Sequence, residues 1–413
     1  MRICLVSEEY PPETGHGGIG TQTWNKAQAL TELGHSVEVL SRAGIGSPAR
    51  TCQESGITVH RMAPPGENPA CPLPIYDQSV YSLGYSWSVL HSLYRLTQKN
   101  QFDLINFPEF GAEGFAFQAN RTAANWVPIV VQLHAPLAML AERMGWPEKN
   151  TSFYRTAAFM EGESIRLADG WMASSANIAN FVAEFYEIPR GEIDVVHCGI
   201  DCDMFRPGVE EGMRNDRPTV LFVGNVTPSK GISTVFEAVL RLRRRFPNIL
   251  LQVVGKGDEL WNEMVVRARR DGAEGNLQRV PFVKERKEIS ELYRRAHVFA
   301  SPADHENGVA NAYVEAMACG CPVIASTTGG APEAVTDGES GILVAPQDVD
   351  ATVAALDQLL GNEALARRLG AAGRRRAEKY FAREHYINRV LAAYQKTINR
   401  SQEKLASLKA QNE

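Results

Sequence analysis

One cycle recurs along this 413-residue chain and constrains its fold more than any other feature: a short apolar run, a glycine-bearing loop, then a helical pattern. Residues 2–7 (RICLVS) form the first apolar run, and GHGGIG at 15–20 lies in the loop after it. Residues 21–33 then place Trp24, Ala27, Ala29, Leu30 and Leu33 at helical spacing, Gly34 stops the helix, and SVEVLS is the next strand. A strand–helix–strand unit of this kind predicts a parallel sheet with right-handed crossovers. Further strands are expected at 102–107, 127–134, 170–175 and 193–200. After the polar stretch 206–218 the cycle restarts with TVLFVGNV, a helix over 231–246, ILLQVVGKG, VPFV, VFASPA and PVIAST.

The expected architecture is therefore α/β, with two facing Rossmann-like, doubly wound domains and ligand loops at the carboxyl ends of their strands, along a cleft between them. The boundaries read as 1–205, a linker at 206–218, and 219–383. A last helix at about 384–400 carries Tyr386, Ile387, Val390, Leu391, Tyr394 and Ile398 on one face, and the tail beyond Asn399 is polar enough to fray. A chain of this length exceeds one ordinary core.

Composition narrows the function. The net charge of −5 and pI near 6.1 argue against nucleic acid as a partner, because phosphate backbones need a clustered positive field. No apolar run reaches the roughly 18–20 residues of a membrane span, and the N-terminal run is too short for a signal peptide. A cytoplasmic location follows. The basic runs RLRRRF and GRRRAEKY read first as solvated helix faces, which the inner face of an anionic membrane could also use. The seven cysteines form no paired framework, so free, mostly buried thiols are expected and no zinc site.

Several features carry candidate chemistry. The glycines at 17, 18 and 20 would let backbone amides approach a ligand at a helix start, although the dinucleotide fingerprint and the acidic end of strand two are both missing. His134 ends an apolar strand, where an imidazole meets ligand more often than core; His16 in the glycine loop is a weaker candidate. Lys230 precedes Gly231 at the start of a helix, where a cation is unfavourable unless an anion joins it. The plainer reading of Lys230 is an exposed first-turn lysine. The DCD at 201–203 imitates a metal motif but sits in a turn-forming context, so no metal site is expected, and DVD at 348–350 reads as a helix N-cap. Asn311 reads as the N-cap of a two-turn helix that Gly320 stops, with Glu315 near its first turn.

With these residues in view, nearly the whole chain resembles the retaining GT-B glycosyltransferases of family four. The matching segments are YPPETGHGGIG, LGHSVEVLS, VVQLHAP, HCGIDCDMFRP, FVGNVTPSKG, VVGKGDE, EAMACGCPVIASTTGGAPEAV and DGESGILVAP. The resemblance implies transfer of a sugar from a nucleoside diphosphate to an acceptor hydroxyl, with retention, by a front-face route and without metal or other cofactor. It implies that the loop of Gly17, Gly18 and Gly20 approaches the donor phosphates and the acceptor, that His134 lies against the donor sugar, and that Lys230 holds the diphosphate. Glu315 would bind ribose hydroxyls and the Glu306 loop would read the sugar. Val283, Asn307, Gly308, Val309, Ala310, Asn311 and Ala312 complete the implied donor set.

Two departures stand out. Asn225 occupies the place of the family's diphosphate-binding arginine, and the two glutamates are nine apart rather than eight. Either Glu306 fills the first acidic role through a one-residue loop insertion, or Asn307 substitutes for it; the insertion is favoured. The acceptor, a glycan, a lipid-linked sugar or a small polyol, is expected near 106–114 (NFPEFGAEG), with Glu109 and His16 as contacts. Two rival readings stay open: an epimerase or hydrolase on the same fold, and a non-catalytic sugar-nucleotide binder.

Overall fold

The computed structural model describes residues 1–15, 17–65, 78–208, 214–280, 283 and 285–411. His16, Cys71, residues 209–213 of the segment 206–218, and Pro281 and Phe282 of VPFV lie outside the described residues. The chain forms two α/β units, one comprising Met1–His197 with Ile387–Glu413 and the other Cys198–Tyr386.

In the first unit the strands are β1 (Arg2–Val6), β2 (Ser36–Arg42), β3 (Arg50–Glu54), β4 (Ile57–Met62), β5 (Leu104–Pro108), β6 (Ile129–Leu133), β7 (Gly170–Ala173) and β8 (Ile193–Val195), in the order β3-β4-β2-β1-β5-β6-β7-β8. All pairs are parallel except the β3–β4 hairpin. That hairpin adds to the expected strands. Its two-residue turn, Ser55–Gly56, has φ of 52° and 80°, a mirror-image turn that matches the twist of paired strands. Every residue of β5 and β6 is buried, as a sheet covered on both faces requires.

A polar network crosses this core. Lys26, on the helix Gly18–Glu32, is buried and donates from Nζ to Asn106 Oδ1 at 2.6 Å and Gln132 Oε1 at 3.1 Å. The hydroxyl of Tyr394 donates to the same Asn106 oxygen at 2.8 Å, so the C-terminal helix Arg383–Gln411 joins β5 and β6 through one amide. This helix buries Tyr386, Ile387, Val390, Ala393 and Tyr394, while Leu391 and Ile398 are half-buried. The polar tail does not fray at Asn399. The helix runs to Gln411 because Ser401, fully buried, donates to Asp169 Oδ2 at 2.9 Å and accepts from Trp126 Nε1 at 2.8 Å.

In the second unit the strands are β9 (Thr219–Val223), β10 (Leu250–Val254), β11 (Leu277–Val280), β12 (Val298–Ser301), β13 (Val323–Ser326) and β14 (Ile342–Val344), all parallel in the order β11-β10-β9-β12-β13-β14. The helix Ile232–Leu242 covers the sheet by burying Ile232, Val235, Phe236, Val239 and Leu242, one stripe at helical spacing. Each such side chain contributes roughly 1.5–3 kcal/mol. The basic runs are largely engaged inside this unit: Arg241 pairs with Asp350 at 2.6 Å, Arg245 pairs with Asp357, and Arg374 donates to the carbonyls of Cys202, Phe205 and Ala318. No helix among the described residues is long and apolar enough to cross a membrane.

Asp169 is a buried carboxylate of the first unit with several partners. It accepts from both Arg121 Nη atoms, at 2.5 and 3.0 Å, from the Ile129 amide at 3.0 Å and from Ser401. Removing it would leave the Arg121 guanidinium, only 3% exposed, without its counter-ion. Asp169→Ala is expected to cost roughly 3–5 kcal/mol in denaturant unfolding, whereas Ser401→Ala should cost about 1 kcal/mol.

Candidate functional site

Both sheets have a position where successive strands are added in opposite directions. In the second unit it lies between β9 and β12, and there the loops after both strands are stitched together. The Asp304 amide donates to Ser229 O at 2.9 Å, and Ser301 Oγ donates to Lys230 O at 3.2 Å. Lys230 closes a short 3-10 turn, Pro228–Lys230, and Gly231 follows at φ +76°; a Cβ there would lie 2.2 Å from Pro302 O. Only glycine fits a left-handed backbone at that approach. The turn delivers Lys230 Nζ to Glu306 Oε1 at 2.6 Å.

Glu306 is held from behind. Its carbonyl accepts from the Gly330 amide at 2.7 Å, and Gly329, at φ +64°, leaves no room for a Cβ against that same carbonyl. The glycine pair was visible in the sequence, but its task of fixing a residue 23 positions earlier was not. Glu315 is also buried. Its two oxygens accept from Arg286 Nη2 at 2.6 Å and from the Tyr293 hydroxyl at 3.1 Å. Nothing in the local sequence marks Arg286 and Tyr293, because they are brought to Glu315 by tertiary packing from the helix Arg286–Arg295.

The helix Asn311–Ala318 carries Glu315 in its second turn. Asn311 is its first residue and not its N-cap: Ala310 holds that position with extended backbone and no side chain caps the end; the Tyr313 amide donates to Ala310 O at 3.2 Å, which leaves those of Asn311 and Ala312 for another acceptor. Gly320, at φ +71°, follows the last turn. Asn307, Gly308, Ala310, Asn311 and Ala312 are half-buried, Val309 is buried and Asn225 is exposed. Val283 packs at the edge of the core around Phe299 and Tyr313. Asp201 accepts from the amides of Asp203 and Met204 at 2.9 Å each, a local turn that uses one of its oxygens, and among the described residues no cluster of three metal-ligating side chains occurs. Asp348 caps the helix Val349–Gly361 through the Ala351 amide.

In the first unit the strand order reverses between β1 and β5. A cavity of about 460 Å³ opens there, lined in part by Glu8, Glu9, Gly17, Gly18, Phe110, Gly111, Glu113, Trp146 and Phe153. Gly17 is the N-cap of the helix Gly18–Glu32 and carries no side-chain cap. The loop wraps around Glu9: a Cβ on Gly17 would lie 2.8 Å from Glu9 Oε2, and one on Gly20 would lie 3.0 Å from Glu9 Cβ. Segment 106–114 reaches this cavity through Phe110, Gly111 and Glu113. Glu109 instead turns inward, fully buried, and its Oε1 accepts from the amides of His134 and Ala135 at 2.6 and 2.5 Å. Glu161, also fully buried, does the same for Leu137 at 2.7 Å and Gly111 at 3.1 Å.

These environments set the protonation states. Burial and the nearby Lys26 ammonium push His134 down to about 3, so its ring is neutral throughout the physiological range. Burial pushes Glu109 up to about 7 despite the amides that donate to it, and burial raises Glu113 and Glu161 well above the usual carboxylate range. Glu109 therefore retains a proton in the folded chain at pH values where it is ionised in the unfolded chain. Its contribution to stability is fully present below the ordinary carboxylate value and is lost as pH rises toward 7, an effect of roughly 3 kcal/mol. Denaturant unfolding from about pH 5 to about pH 8 should show Glu109→Gln keeping the two amide bonds while losing that share of the pH dependence. An unchanged slope would place the proton elsewhere.

Comparison with known proteins agrees with this arrangement. Residues 209–376 match Glycosyl transferases group 1, and residues 16–204 match Glycosyltransferase Family 4. The glycogen synthase of Mycobacterium tuberculosis is 29% identical over 392 residues, 92% of this chain and 91% of that protein. The GDP-mannose-dependent alpha-(1-6)-phosphatidylinositol monomannoside mannosyltransferase of Mycolicibacterium smegmatis is 32% identical over 270 residues, 58% of this chain and 69% of that protein. Among solved structures, the sucrose-phosphate synthase of Thermosynechococcus elongatus aligns with a TM-score of 0.79 at 22% identity, over 95% of this chain and 98% of that one. The chain has the GT-B fold of two parallel-sheet α/β domains and belongs to the group 1 glycosyltransferases; it is a glycosyltransferase.

Proposed function

We propose that this enzyme moves a hexosyl group from a nucleoside-diphosphate sugar to an acceptor hydroxyl, with retention of configuration and without a metal ion. The observation that carries this reading is the Lys230–Glu306 pair at the β9/β12 reversal, where parallel sheets bind ligands. Lys230 is 36% exposed and can exchange the Glu306 carboxylate for diphosphate oxygens. The uncapped amides at Asn311 and Ala312 add donors, and the exposed Asn225 amide supplies a neutral one. Released by Lys230, Glu306 is free to accept from sugar hydroxyls. Glu315, oriented by Arg286 and Tyr293, keeps lone pairs for ribose hydroxyls.

In the transfer, the bond from the anomeric carbon to the diphosphate breaks with its electron pair on the phosphate oxygen. The acceptor oxygen bonds to that carbon from the same face, and its proton passes to the departing phosphate. Charge grows on the leaving group, and Lys230 with the helix amides stabilises it. A neutral His134 offers the donor sugar a hydrogen bond without adding positive charge beside an electron-poor carbon. The mannosyltransferase relative, named as GDP-mannose-dependent, supports a nucleotide-sugar donor.

Thermal shift with UDP-, ADP- and GDP-sugars identifies the donor, and product analysis with acceptor tests the transfer. Lys230→Ala is expected to lower kcat/KM by roughly 10²–10³-fold, and an unaffected rate would sink the mechanism. Glu315→Ala should weaken donor binding. Glu306→Ala should slow turnover more than Asn307→Ala, and the reverse ranking would assign the first acidic role to Asn307. Donor binding without transfer to any acceptor would make the chain a binder, and release of free sugar alone would make it a hydrolase.

A further inference from the structure

The cavity between the ends of β1 and β5 combines an aromatic wall with an acidic one. Its wall is aromatic: Phe110, Trp146 and Phe153 line it, the rings of Trp146 and Phe153 lie 6.4 Å apart at 49°, and Trp146 is 52% exposed. Its polar side is acidic: Glu8, Glu9 and Glu113 line it, and no Lys, Arg or His is among its described lining residues. Glu8 is fixed in place, accepting from the Tyr81 hydroxyl at 2.6 Å and pairing with Arg42 at 3.2 Å. Glu113 is 95% buried, and its Oε1 accepts from the Glu8 amide at 2.9 Å. Its Oε2 is buried and has no hydrogen-bond partner among the described residues, although it belongs to a residue of the cavity wall. A buried carboxyl oxygen left in this way is costly unless a ligand meets it.

We propose that this cavity is the acceptor site and that it selects an uncharged pyranose ring over a phosphorylated one. The word acceptor rests on the transferase reading above; the chemistry of the cavity does not. The C–H face of a sugar ring is apolar and stacks on an indole or phenyl face, while its vicinal hydroxyls donate to carboxyl oxygens. A phosphate monoester brings nearly two negative charges and three acceptor oxygens, and the described lining offers them two carboxylates, one of them already paired with Arg42 behind it, and no cation. Burial and the charges of Glu8 and Glu9 hold the Glu113 carboxyl protonated, so it contributes a neutral polar group to the wall rather than a third anion.

Tryptophan fluorescence and calorimetry on the full chain, without nucleotide, test this directly. The probes are methyl α-D-glucopyranoside, methyl α-D-mannopyranoside and methyl α-D-galactopyranoside, each against glucose 6-phosphate. At least one neutral glycoside should bind saturably, and glucose 6-phosphate should bind at least about tenfold more weakly. Trp146→Ala should weaken the neutral glycoside about tenfold by calorimetry, and Glu9→Gln should narrow the gap to glucose 6-phosphate. Equal or tighter binding of glucose 6-phosphate, no saturable binding of any neutral glycoside, or neutral binding indifferent to Trp146→Ala would each overturn the proposal. Nucleotide binding measured on the same protein separates the two readings. Sugar binding without nucleotide binding sinks the transferase mechanism and leaves the cavity, whereas nucleotide binding without sugar binding does the opposite.

Discussion

A parallel sheet built outward from a central pair leaves one place at its carboxyl edge that crossover helices do not cover. The chain leaves β1 toward β2 and returns to β5 on the other side; it leaves β9 toward β10 and returns to β12. Each reversal separates two helices that would otherwise pack side by side, and the loops after the central strands line the resulting crevice. The residues with notable chemistry follow this constraint. Glu8 and Glu9 come after β1, Phe110 and Glu113 after β5, Lys230 after β9 and Glu306 after β12.

The second constraint is that charge placed in such crevices must be held. Three devices appear. Glycine gives backbone room, as at Gly231 against Pro302 and at Gly329 against Glu306. Buried carboxyl groups replace missing helix partners in the first unit, where Glu109 and Glu161 take the amides at 134, 135, 137 and 111. Ion pairs neutralise the second-unit glutamates, Glu306 through Lys230 and Glu315 through Arg286. The first two devices create rigid loops, and the third creates groups that can change partners. A salt bridge with its lysine partly exposed is a weak interaction and easily traded for a diphosphate.

The sequence made the strand–helix cycle legible because central parallel strands are continuous apolar runs and their crossover helices carry a single buried stripe. The β3–β4 hairpin and β14 leave little trace in the sequence, since Arg50–Glu54 has little apolar content and Ile342–Val344 is only three residues long. The persistence of the last helix past Asn399 was hidden because Ser401 is polar in sequence and buried only through Asp169 and Trp126. Candidate site residues that carry their own local signal were legible: Lys230 beside its glycine, and two glutamates, one before a short helix and one within it. Arg286, Tyr293, Lys26 and Glu161 were not, because what defines each is a partner far away in the chain. Glu109 shows the limit from the other direction. Its segment reaches the cavity, but which of two glutamates lines it depends on a backbone turn at Gly111, with φ 77°, that composition does not announce.

The two crevices differ in electrostatic character, and the difference has a chemical rationale. The second unit offers a lysine and uncapped helix amides beside carboxylates already neutralised by their own cations, a surface that gains by taking an anion. The first unit offers carboxyl groups and aromatic faces with no cation among the described lining, a surface that repels one. A group transfer whose leaving group is a diphosphate and whose nucleophile is a hydroxyl benefits from this division. On the proposed reading an anion would be drawn to the second-unit crevice and kept out of the first by charge, so the donor would not compete for the acceptor's place. Specificity of this kind needs no additional contact to the correct substrate, because like-charge repulsion acts only against the wrong one.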